Sequence, residues 1–579
     1  MIERKGTWVM QRNETMPSLS NVTLEISLKP FVDPREDAIR NIFTEVFRHW
    51  YSLLKYAETI SVMFWIGDGS EIFEFRGDLD MAFEWGKWLG FANESYHVAD
   101  EDDPHHESLV AWPRVYREDA PQFTYRKLKQ LISVMKEVGA HLYPGKRIRA
   151  GATIDPGPEF VPSPFKYERH PEILWGEGHG EGGCGKNIDC TASFHADQEA
   201  YAGFPNGIPE GTSFGTFLGR QARLFMEALD FDYIWFSNSF GFGRCPYGFG
   251  AYGEFFDGTR FRHEGNRECA QHVMQFWYDF RHECPEHMIE TRGTDFPVGL
   301  DLVNHATPYR ELYEHAAQLR FVPPPNTPWS ALTGNYGLAM AGYMSRIAAW
   351  PGAFPYRYYT SDPWWCNTPW LDRYERSPHD IYLNLAIAKI EADGTVSTPN
   401  RLSLLSIDDS WGHLPEELPD ETIPHLKEAF ATRPDAASPF IWIYPFAEYH
   451  QWTFEKCARI GEVYAGDLLI QEAINCGLPL DTVISSEAFC RLFEAGMNVI
   501  KPGTVLVCPF PDEGSDLAAA LGNALETGCH LLLYGPSRFG CRRFRELLGI
   551  EPVAGELDGE FEVVGDGVVD RFVTGTVSG

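Results

Sequence analysis

Short apolar runs alternate with longer amphipathic stretches along most of the chain. Runs rich in Val, Ile, Phe and Trp are typical of buried strands in a parallel sheet. Eight runs predict strands: NVTLEISLKPF from Asn21, TISVMFWIG from Thr59, KRIRAGATID from Lys146, DYIWFSNS from Asp232, EHMIETRG from Glu286, the weakly marked WSALTGNYG from Trp329, FPYRYYTSD from Phe354 and RLSLLSIDDSWG from Arg401. The α/β pattern predicts a TIM-type (β/α)8 barrel with large insertions over residues 1–415.

Apolar residues three and four positions apart predict the crossover helices between these runs. The amphipathic stretches are REDAIRNIFTEVFRHWYSLLKYA, FTYRKLKQLISVMKEVG, GTFLGRQARLFMEALD, NRECAQHVMQFWYDFRH, YRELYEHAAQLR and HDIYLNLAIAKIEAD. Each stretch stands between two predicted strands, as the barrel topology requires.

The alternation repeats on a smaller scale after the barrel. Four short apolar runs separated by helical stretches predict a small, doubly wound, flavodoxin-like domain over residues 440–553, preceded by a Pro- and acid-rich linker at 416–439. Period-two alternation over 554–579 predicts a β-rich segment. Within this domain no GxGxxG or GxxxxGK[ST] motif stands at a strand-to-helix turn, so nucleotide binding there is not favoured.

Composition excludes several classes of partner. The 579 residues carry 49 Lys and Arg against 82 Asp and Glu, a net charge of −33, which repels phosphate backbones and anionic lipid surfaces. Nucleic-acid and membrane partners are therefore not expected. Aromatic residues form 14% of the chain, which favours a folded protein over disorder. The first 22 residues contain no apolar stretch typical of a secretory signal, so a cytoplasmic location is expected.

The 12 cysteines are scattered, mostly singly within apolar segments, as reduced thiols in a cytoplasmic enzyme would be. Cys184 and Cys190 could join Cys245 around a zinc ion, although their spacing is wider than usual and free thiols are the simpler interpretation. No cofactor is predicted, and His105 and His106 stand in a charged loop typical of a solvated segment.

Active sites of such barrels lie at the carboxyl ends of the strands. The candidates there are Asp155 and Glu159 after the third predicted strand, Asn238 after the fourth, Glu290, Arg292 and Asp295 at the fifth, and Asp408 and Trp411 after the eighth. Glu290 follows a buried run, so it is either functional or paired with Arg292. Glu159 is either an ordinary solvated acid or a carboxyl group held in place by neighbouring prolines.

Tryptophan recurs beside aspartate at three predicted strand ends. The pairs are Trp65 with Asp68, Trp364 with Asp362, and Trp411 with Asp408. Each tryptophan taken singly could be core packing. Indole rings can also stack on the C–H faces of sugars while aspartates accept hydrogen bonds from sugar hydroxyls. The recurrence therefore predicts a carbohydrate substrate, and HExxH and CxxC motifs are absent.

Glu159 in IDPGPEF and Glu290 in MIETRGTDF, on a barrel followed by a small flavodoxin-like unit, resemble glycoside hydrolase family 164, whose members are β-mannosidases. The chain is more distantly similar to the family 42 β-galactosidases. The resemblance implies a retaining exo-glycosidase with Glu159 as acid/base and Glu290 as nucleophile, and a homotrimer built through residues 440–553. One departure is that family 42 and its clan carry the two glutamates after strands four and seven, whereas here they follow strands three and five.

Two kinds of alternative remain open from the sequence. Within enzymes, the chain could be a β-galactosidase or another exo-glycosidase, and a carboxyl separation of about 5–5.5 Å would indicate retention, against about 6.5–9.5 Å for inversion. From a different class, it could be a catalytically silent carbohydrate-binding barrel.

Overall fold

The computed structural model describes most of the chain. The described residues are 16–83, 122–157, 163–175, 187–244, 255–256, 259–294, 296–332, 334–360, 378–409, 412–496, 499–551, 559–565 and 568–574.

Strands in these residues form two large sheets and three antiparallel pairs. Their bounds are β1 Leu19–Ser27, β2 Ala57–Trp65, β3 Ala82–Phe83, β4 Phe123–Thr124, β5 Arg147–Ile154, β6 Leu174–Trp175, β7 Asn187–Ile188, β8 Tyr233–Phe236, β9 Met288–Thr291, β10 Pro355–Tyr359, β11 Ala388–Ile390, β12 Val396–Ser397, β13 Arg401–Leu405, β14 Phe440–Tyr444, β15 Thr482–Ser485, β16 Val505–Pro509, β17 His530–Tyr534, β18 Gly559–Gly565 and β19 Val568–Thr574.

The α-helices in chain order are Glu36–His49, Tyr51–Leu54, Ser70–Phe73, Tyr125–Leu142, Phe214–Leu229, Asn266–Glu283, Val298–His305, Tyr309–Glu314, Ala316–Leu319, Pro328–Leu332, Tyr336–Ala348, His379–Leu385, Glu417–Ala431, Phe446–Phe454, Ile460–Asn475, Ser486–Glu494, Asp516–Glu526 and Arg542–Leu548. Side-chain caps fix several helix starts: Thr124 and Ser213 each accept a hydrogen bond from a backbone N–H of the first turn.

The larger sheet is parallel throughout, with the order β10-β13-β1-β2-β5-β8-β9. Seven of the predicted strands are confirmed with bounds shifted by a few residues, and the predicted (β/α)8 class is confirmed. The sixth position was predicted wrongly: residues 328–332 are helical, and the strand-like contact to β9 is made earlier, by Phe321, which bridges Ile289. Because this contact involves only one bridging residue, the sequence contains no apolar run from which a strand could be predicted there.

Polar side chains line one face of this sheet. Register places Arg357, Ser403, Thr23, Ser61 and Arg149 in one row across five neighbouring strands. Residues of the opposite face are apolar and buried, as expected where helices cover a sheet.

The row closes on itself through Glu290 of the edge strand β9. Glu290 pairs with Arg149 and also interacts electrostatically with Arg357, which lies on the opposite edge strand, β10. Asn326 strengthens the closure, because its side chain donates to the backbone oxygen of Arg357 and accepts from its N–H. The polar row therefore faces the barrel interior.

The second sheet has the order β12-β11-β15-β14-β16-β17. The hairpin β11–β12 comes from the chain before the last barrel strand, so the barrel segment lends two strands to this sheet. The stretch HDIYLNLAIAKIEAD, predicted as one helix, is helical only over His379–Leu385 and then forms β11. The stretch 416–439, expected as a linker, contains the helix Glu417–Ala431.

The two units share a buried, polar contact. Helix Ile460–Asn475 packs against helices Val298–His305 and Tyr336–Ala348 of the barrel. Asp467 accepts hydrogen bonds from the Gly299 N–H and the Tyr444 hydroxyl, and burial raises its pKa to about 7. At Gly337 a Cβ would lie 2.3 Å from the Gln471 backbone oxygen, so only glycine permits this approach.

Gly151 provides a test of packing inside the barrel. A Cβ on Gly151 would lie 2.2 Å from Cζ of Tyr233, whose ring is buried beneath the Arg149 guanidinium. We expect Gly151→Ala to lower the free energy of unfolding by about 1–3 kcal/mol, because the ring must leave its place. Chemical denaturation measures the change.

The matched control is Gly461→Ala in helix Ile460–Asn475, where a Cβ meets nothing within 4 Å. This variant should be unchanged or stabilised by about 0.5–1 kcal/mol. Equal effects of the two substitutions would contradict the packing of Tyr233 described here.

Candidate active site at the carboxyl ends of the barrel strands

A buried ion pair lies where strands β2 and β5 end. Asp68 follows β2, and its carboxylate pairs with Lys166, which comes from the helical turn Phe165–Arg169; both side chains are fully buried. Lys166 also donates to the Gly157 backbone oxygen at 3.3 Å. Burial favours the neutral amine, but Asp68, Tyr167 and Asp155 together outweigh it and raise the pKa of Lys166, so the ammonium persists.

Asp155 and Asn238 extend this pair across the barrel mouth. Asn238 Nδ2 donates to Asp155 Oδ2 at 2.7 Å, and Arg292 donates to the side-chain oxygen of Asn238. Asp155 also accepts from the Gly157 N–H at 2.9 Å. Four residues predicted separately, Asp68, Asp155, Asn238 and Arg292, thus form one network with Lys166.

Backbone strain accompanies the network at Asn238. Its φ is 44° and that of Ser239 is 59°, both in the left-handed region that non-glycine residues adopt rarely. Such strain persists only where surrounding contacts fix it, and it is concentrated at functional sites. Here the contacts to Asp155 and Arg292 hold the asparagine between a carboxylate and a guanidinium.

Two carboxyl groups of this region hold protons more tightly than usual. Burial raises the pKa of Asp155 to about 6, although hydrogen bonds and the nearby Lys166 and Arg292 oppose the shift. Burial, with Asp68 close by, raises the pKa of Glu71 to about 8. Glu71 Oε2 accepts a hydrogen bond from the Gly69 N–H at 3.1 Å. Sequence reasoning missed Glu71 and Lys166.

Asp408 lies at the part of the mouth formed by β13 and β1. It accepts from the Ser27 hydroxyl at 2.6 Å and the Ser27 N–H at 2.9 Å, and its oxygen lies 3.9 Å from the Lys29 ammonium. Burial raises the pKa of this carboxyl group.

Trp65 at the end of β2 is largely buried. Its ring makes an edge contact with Trp235, with centroids 5.6 Å apart, and the Arg357 guanidinium stacks over Trp235. Trp65 is 7% exposed, so the ring contributes mainly to the packing of the upper barrel.

Glu290 pairs with Arg149 at 3.2 Å, where the sequence suggested Arg292. The Glu290 side chain is 8% exposed. Arg149 is the third residue of β5, and Arg401, the first residue of β13, also interacts with Glu290. Glu290 therefore lies in the barrel interior, deeper than the Asp155 network.

Glu25 on β1 is a buried carboxyl group that sequence reasoning missed. Burial raises its pKa to about 7, against the opposing effect of Arg357. Its Oε1 accepts from the Ser406 N–H at 3.1 Å, whereas Oε2 has no hydrogen-bond partner in the described chain. The alternation of Thr23, Glu25 and Ser27 along β1 was the available signal, because it predicts one polar face.

Several predicted residues lie outside the described residues: Glu159, Asp295, Asp362, Trp364, Trp411, Cys184, Cys245, His105 and His106. Of the possible zinc ligands, Cys190 is described; it is a buried thiol that donates to the Gly243 backbone oxygen at 3.3 Å. Within the described ranges, no cluster of three or more His, Cys, Asp or Glu side chains is arranged to hold a metal ion. The described helices also include none with the length and apolarity needed to cross a bilayer.

Comparisons with known proteins give structural likenesses alone. No family model and no curated protein matches the chain. A GH5_18 protein from Streptomyces cattleya in complex with GlcNAc is similar with a TM-score of 0.39 at 10% identity, covering 90% of this chain and 99% of that one. A β-galactosidase from Marinomonas ef1 has a TM-score of 0.43 at 10% identity, covering 95% and 83%. The superpositions are too loose to carry residue roles to this chain.

Glu71 predicts a pH-dependent stability. Between its ordinary pKa of 4.5 and the folded value of about 8, the unfolded state loses a proton that the folded state retains, so stability falls as the pH rises. Glu71→Gln removes this penalty. We therefore expect the difference in free energy of unfolding, Glu71→Gln minus the unsubstituted protein, to rise by roughly 3 kcal/mol from pH 5 to pH 8. Urea unfolding across this pH range measures the difference.

Glu268→Gln is the matched control, since Glu268 is exposed on helix Asn266–Glu283. Its difference from the unsubstituted protein should stay flat over the same range. A flat difference for Glu71→Gln would show that Glu71 is ionised in the folded protein.

Proposed function

We propose that this chain is a glycoside hydrolase whose sugar substrate binds at the carboxyl ends of the barrel strands. The observation that carries the proposal is the buried network of Asp68, Lys166, Asp155, Asn238 and Arg292 at the place where barrels bind substrates. Carboxylate, amide and guanidinium groups fixed in this way can hydrogen-bond to several hydroxyls of one sugar.

Double displacement by Glu290 and Glu159 is the proposed mechanism. Glu290 attacks the anomeric carbon and forms a glycosyl ester while the Glu159 carboxylic acid protonates the departing oxygen. Glu159 then takes a proton from water, and the resulting hydroxide releases the sugar with retained configuration. The cations Arg149 and Arg357 beside Glu290 support its use as a carboxylate.

Glu25 is a second candidate for the acid. Arg357 interacts electrostatically with both Glu25 and Glu290, so the two carboxyl groups share one guanidinium as a partner. A folded pKa of about 7 suits a general acid at neutral pH, because the group then both holds and releases a proton.

The finer assignments come from the family resemblance. It favours a β-mannosidase, with a β-galactosidase or another exo-glycosidase as the alternative. The sugar that is accepted depends on which axial or equatorial hydroxyls contact the polar side chains of the site. It also favours a homotrimer formed through residues 440–553. The bounds 1–415 for the barrel and 554–579 for the β-rich segment, and a cytoplasmic location, are proposed from the sequence pattern and not from the resemblance.

A catalytically silent, carbohydrate-binding barrel is the second candidate function. One observation favours it: the Glu290 carboxylate is buried in an ion pair with Arg149, as a structural charge would be. In that case the network at the barrel mouth binds sugar without cleaving it.

Turnover separates the two candidates. We expect the protein to release chromophore from at least one of the aryl β-mannoside, β-galactoside and β-glucoside. Glu290→Gln and Glu159→Ala should each lower kcat by about 10³-fold or more while the protein stays folded, since each removes a group that reacts with the substrate. Glu25→Gln should do so if Glu25 is the acid instead.

Arg149→Met is the matched control, because it breaks the Glu290 ion pair while keeping the carboxyl group. If Glu290 is structural, both substitutions should lower the melting temperature similarly, and the folded fraction of Glu290→Gln should keep its turnover. Sugar binding by calorimetry without chromophore release from any of the three glycosides would favour the silent barrel.

A further inference from the structure

A cleft of about 1000 Å³ lies between the barrel and the second unit, away from the barrel mouth. Helix Asn266–Glu283 of the barrel forms one wall, and helices Phe446–Phe454 and Ser486–Glu494 of the second unit form the other. Its volume is at the upper end of the range for small-molecule sites.

The topology of the second sheet places this cleft where open α/β sheets bind ligands. From β14 the chain crosses to β15 on one side and then to β16 on the other. The strand order therefore reverses beside β14, and a crevice forms outside the carboxyl ends of the strands at such a point. Glu448, Glu487 and Asp512 follow the carboxyl ends of β14, β15 and β16 in turn, and all three line the cleft.

Two of these carboxylates are neutralised by neighbouring cations. Glu487 pairs with Arg310 at 2.9 Å. Asp512 pairs with Arg459 and lies 3.2 Å from the Lys456 ammonium.

Glu448 differs from both neighbours. Its Oε2 accepts a hydrogen bond from the Ser486 hydroxyl at 2.6 Å, and no basic side chain of the described chain pairs with it. Burial raises the pKa of Glu448 to about 7, and Glu487 and Asp512 add to the shift. Glu448 is half-buried, so a positive charge placed beside it would offset both the partial loss of water around its carboxylate and the repulsion from its neighbours.

The other lining residues also suit a cationic ligand. The cleft is lined by seven carboxylic acids, namely Glu311, Glu448, Glu455, Glu487, Glu494, Asp512 and Asp516, against the three cations Arg267, Arg310 and Arg491. Tyr278, Met274 and Phe454 add apolar surface and aromatic faces, which attract ammonium groups and alkyl chains.

We propose that this cleft is a binding site for a small organic cation, with a primary ammonium group of the ligand seated against Glu448. An aliphatic amine fits the combination of a carboxyl group that has no ion-pair partner among the described residues, a negative rim and apolar walls. The site is separate from the barrel mouth, so the test of this proposal does not depend on the proposed glycosidase activity.

Calorimetric titration of the full chain with spermidine tests the proposal. We expect a dissociation constant below about 1 mM, and Glu448→Gln should weaken binding at least about tenfold, because the amide keeps the shape and loses the charge. Glu494→Gln is the matched control: it removes a carboxylate that lines the same cleft and is exposed, and it should change the affinity by less than about twofold.

A second variant tests the proposal even if Glu448→Gln fails to fold. Gln451→Arg places a guanidinium one turn from Glu448 on the same helix, and this competing cation should abolish spermidine binding. Absence of binding at 10 mM spermidine would overturn the proposal. Equal losses in Glu448→Gln and Glu494→Gln would also overturn it, since they would show diffuse attraction to an acidic surface. Tighter binding of neutral mannose, weakened by Glu448→Gln, would overturn the assignment to a cation.

Discussion

A charged group can remain inside a protein only when opposite charges or several hydrogen bonds replace the water it has lost. The barrel interior meets this requirement with shared partners. Glu290 interacts with both Arg149 and Arg357, and Arg357 in turn interacts with both Glu290 and Glu25. Because these groups come from both edge strands of the sheet and from its centre, the same interactions that neutralise the charges also favour a closed barrel over an open sheet.

Glu25 and Glu71 have raised pKa values because nearby charges and hydrogen bonds only partly replace the water that their carboxyl groups have lost. Glu290 lies among several cations, whereas Glu25 has one nearby guanidinium and an oxygen without a partner, and Glu71 adjoins the carboxylate of Asp68. One interior thus contains carboxyl groups with opposite surroundings. Such a difference in environment is what acid–base catalysis with two carboxyl groups requires. The ion pair at Asp68, by contrast, fixes a charge and orients the residues around it.

The sequence predicted seven of the barrel strands because each is a distinct apolar run that alternates with an amphipathic stretch along the chain. The sixth position failed, since Phe321 contributes a single bridge rather than a run. The site was predicted in part: Asp155, Asn238 and Arg292 follow strand ends that the topology brings together. The Arg149 partner of Glu290 was not predictable from spacing, because 141 residues separate the two. Lys166 resembles any charged loop residue until the fold buries it beside Asp68.

The second unit has a structural connection to the candidate site. Arg292 lies directly after β9, and the backbone oxygens of Thr294 and Phe296, further along the same loop, accept hydrogen bonds from buried Arg346. Helix Val298–His305 follows this loop, and its Gly299 N–H donates to Asp467 of the second unit. The hairpin β11–β12 completes the second sheet from within the barrel segment. The loop that carries Arg292 is held by Arg346 and leads into the helix whose Gly299 bonds to Asp467. Separating the two units would therefore expose Asp467 and weaken the helix that follows this loop. The two units therefore act as one scaffold for the site.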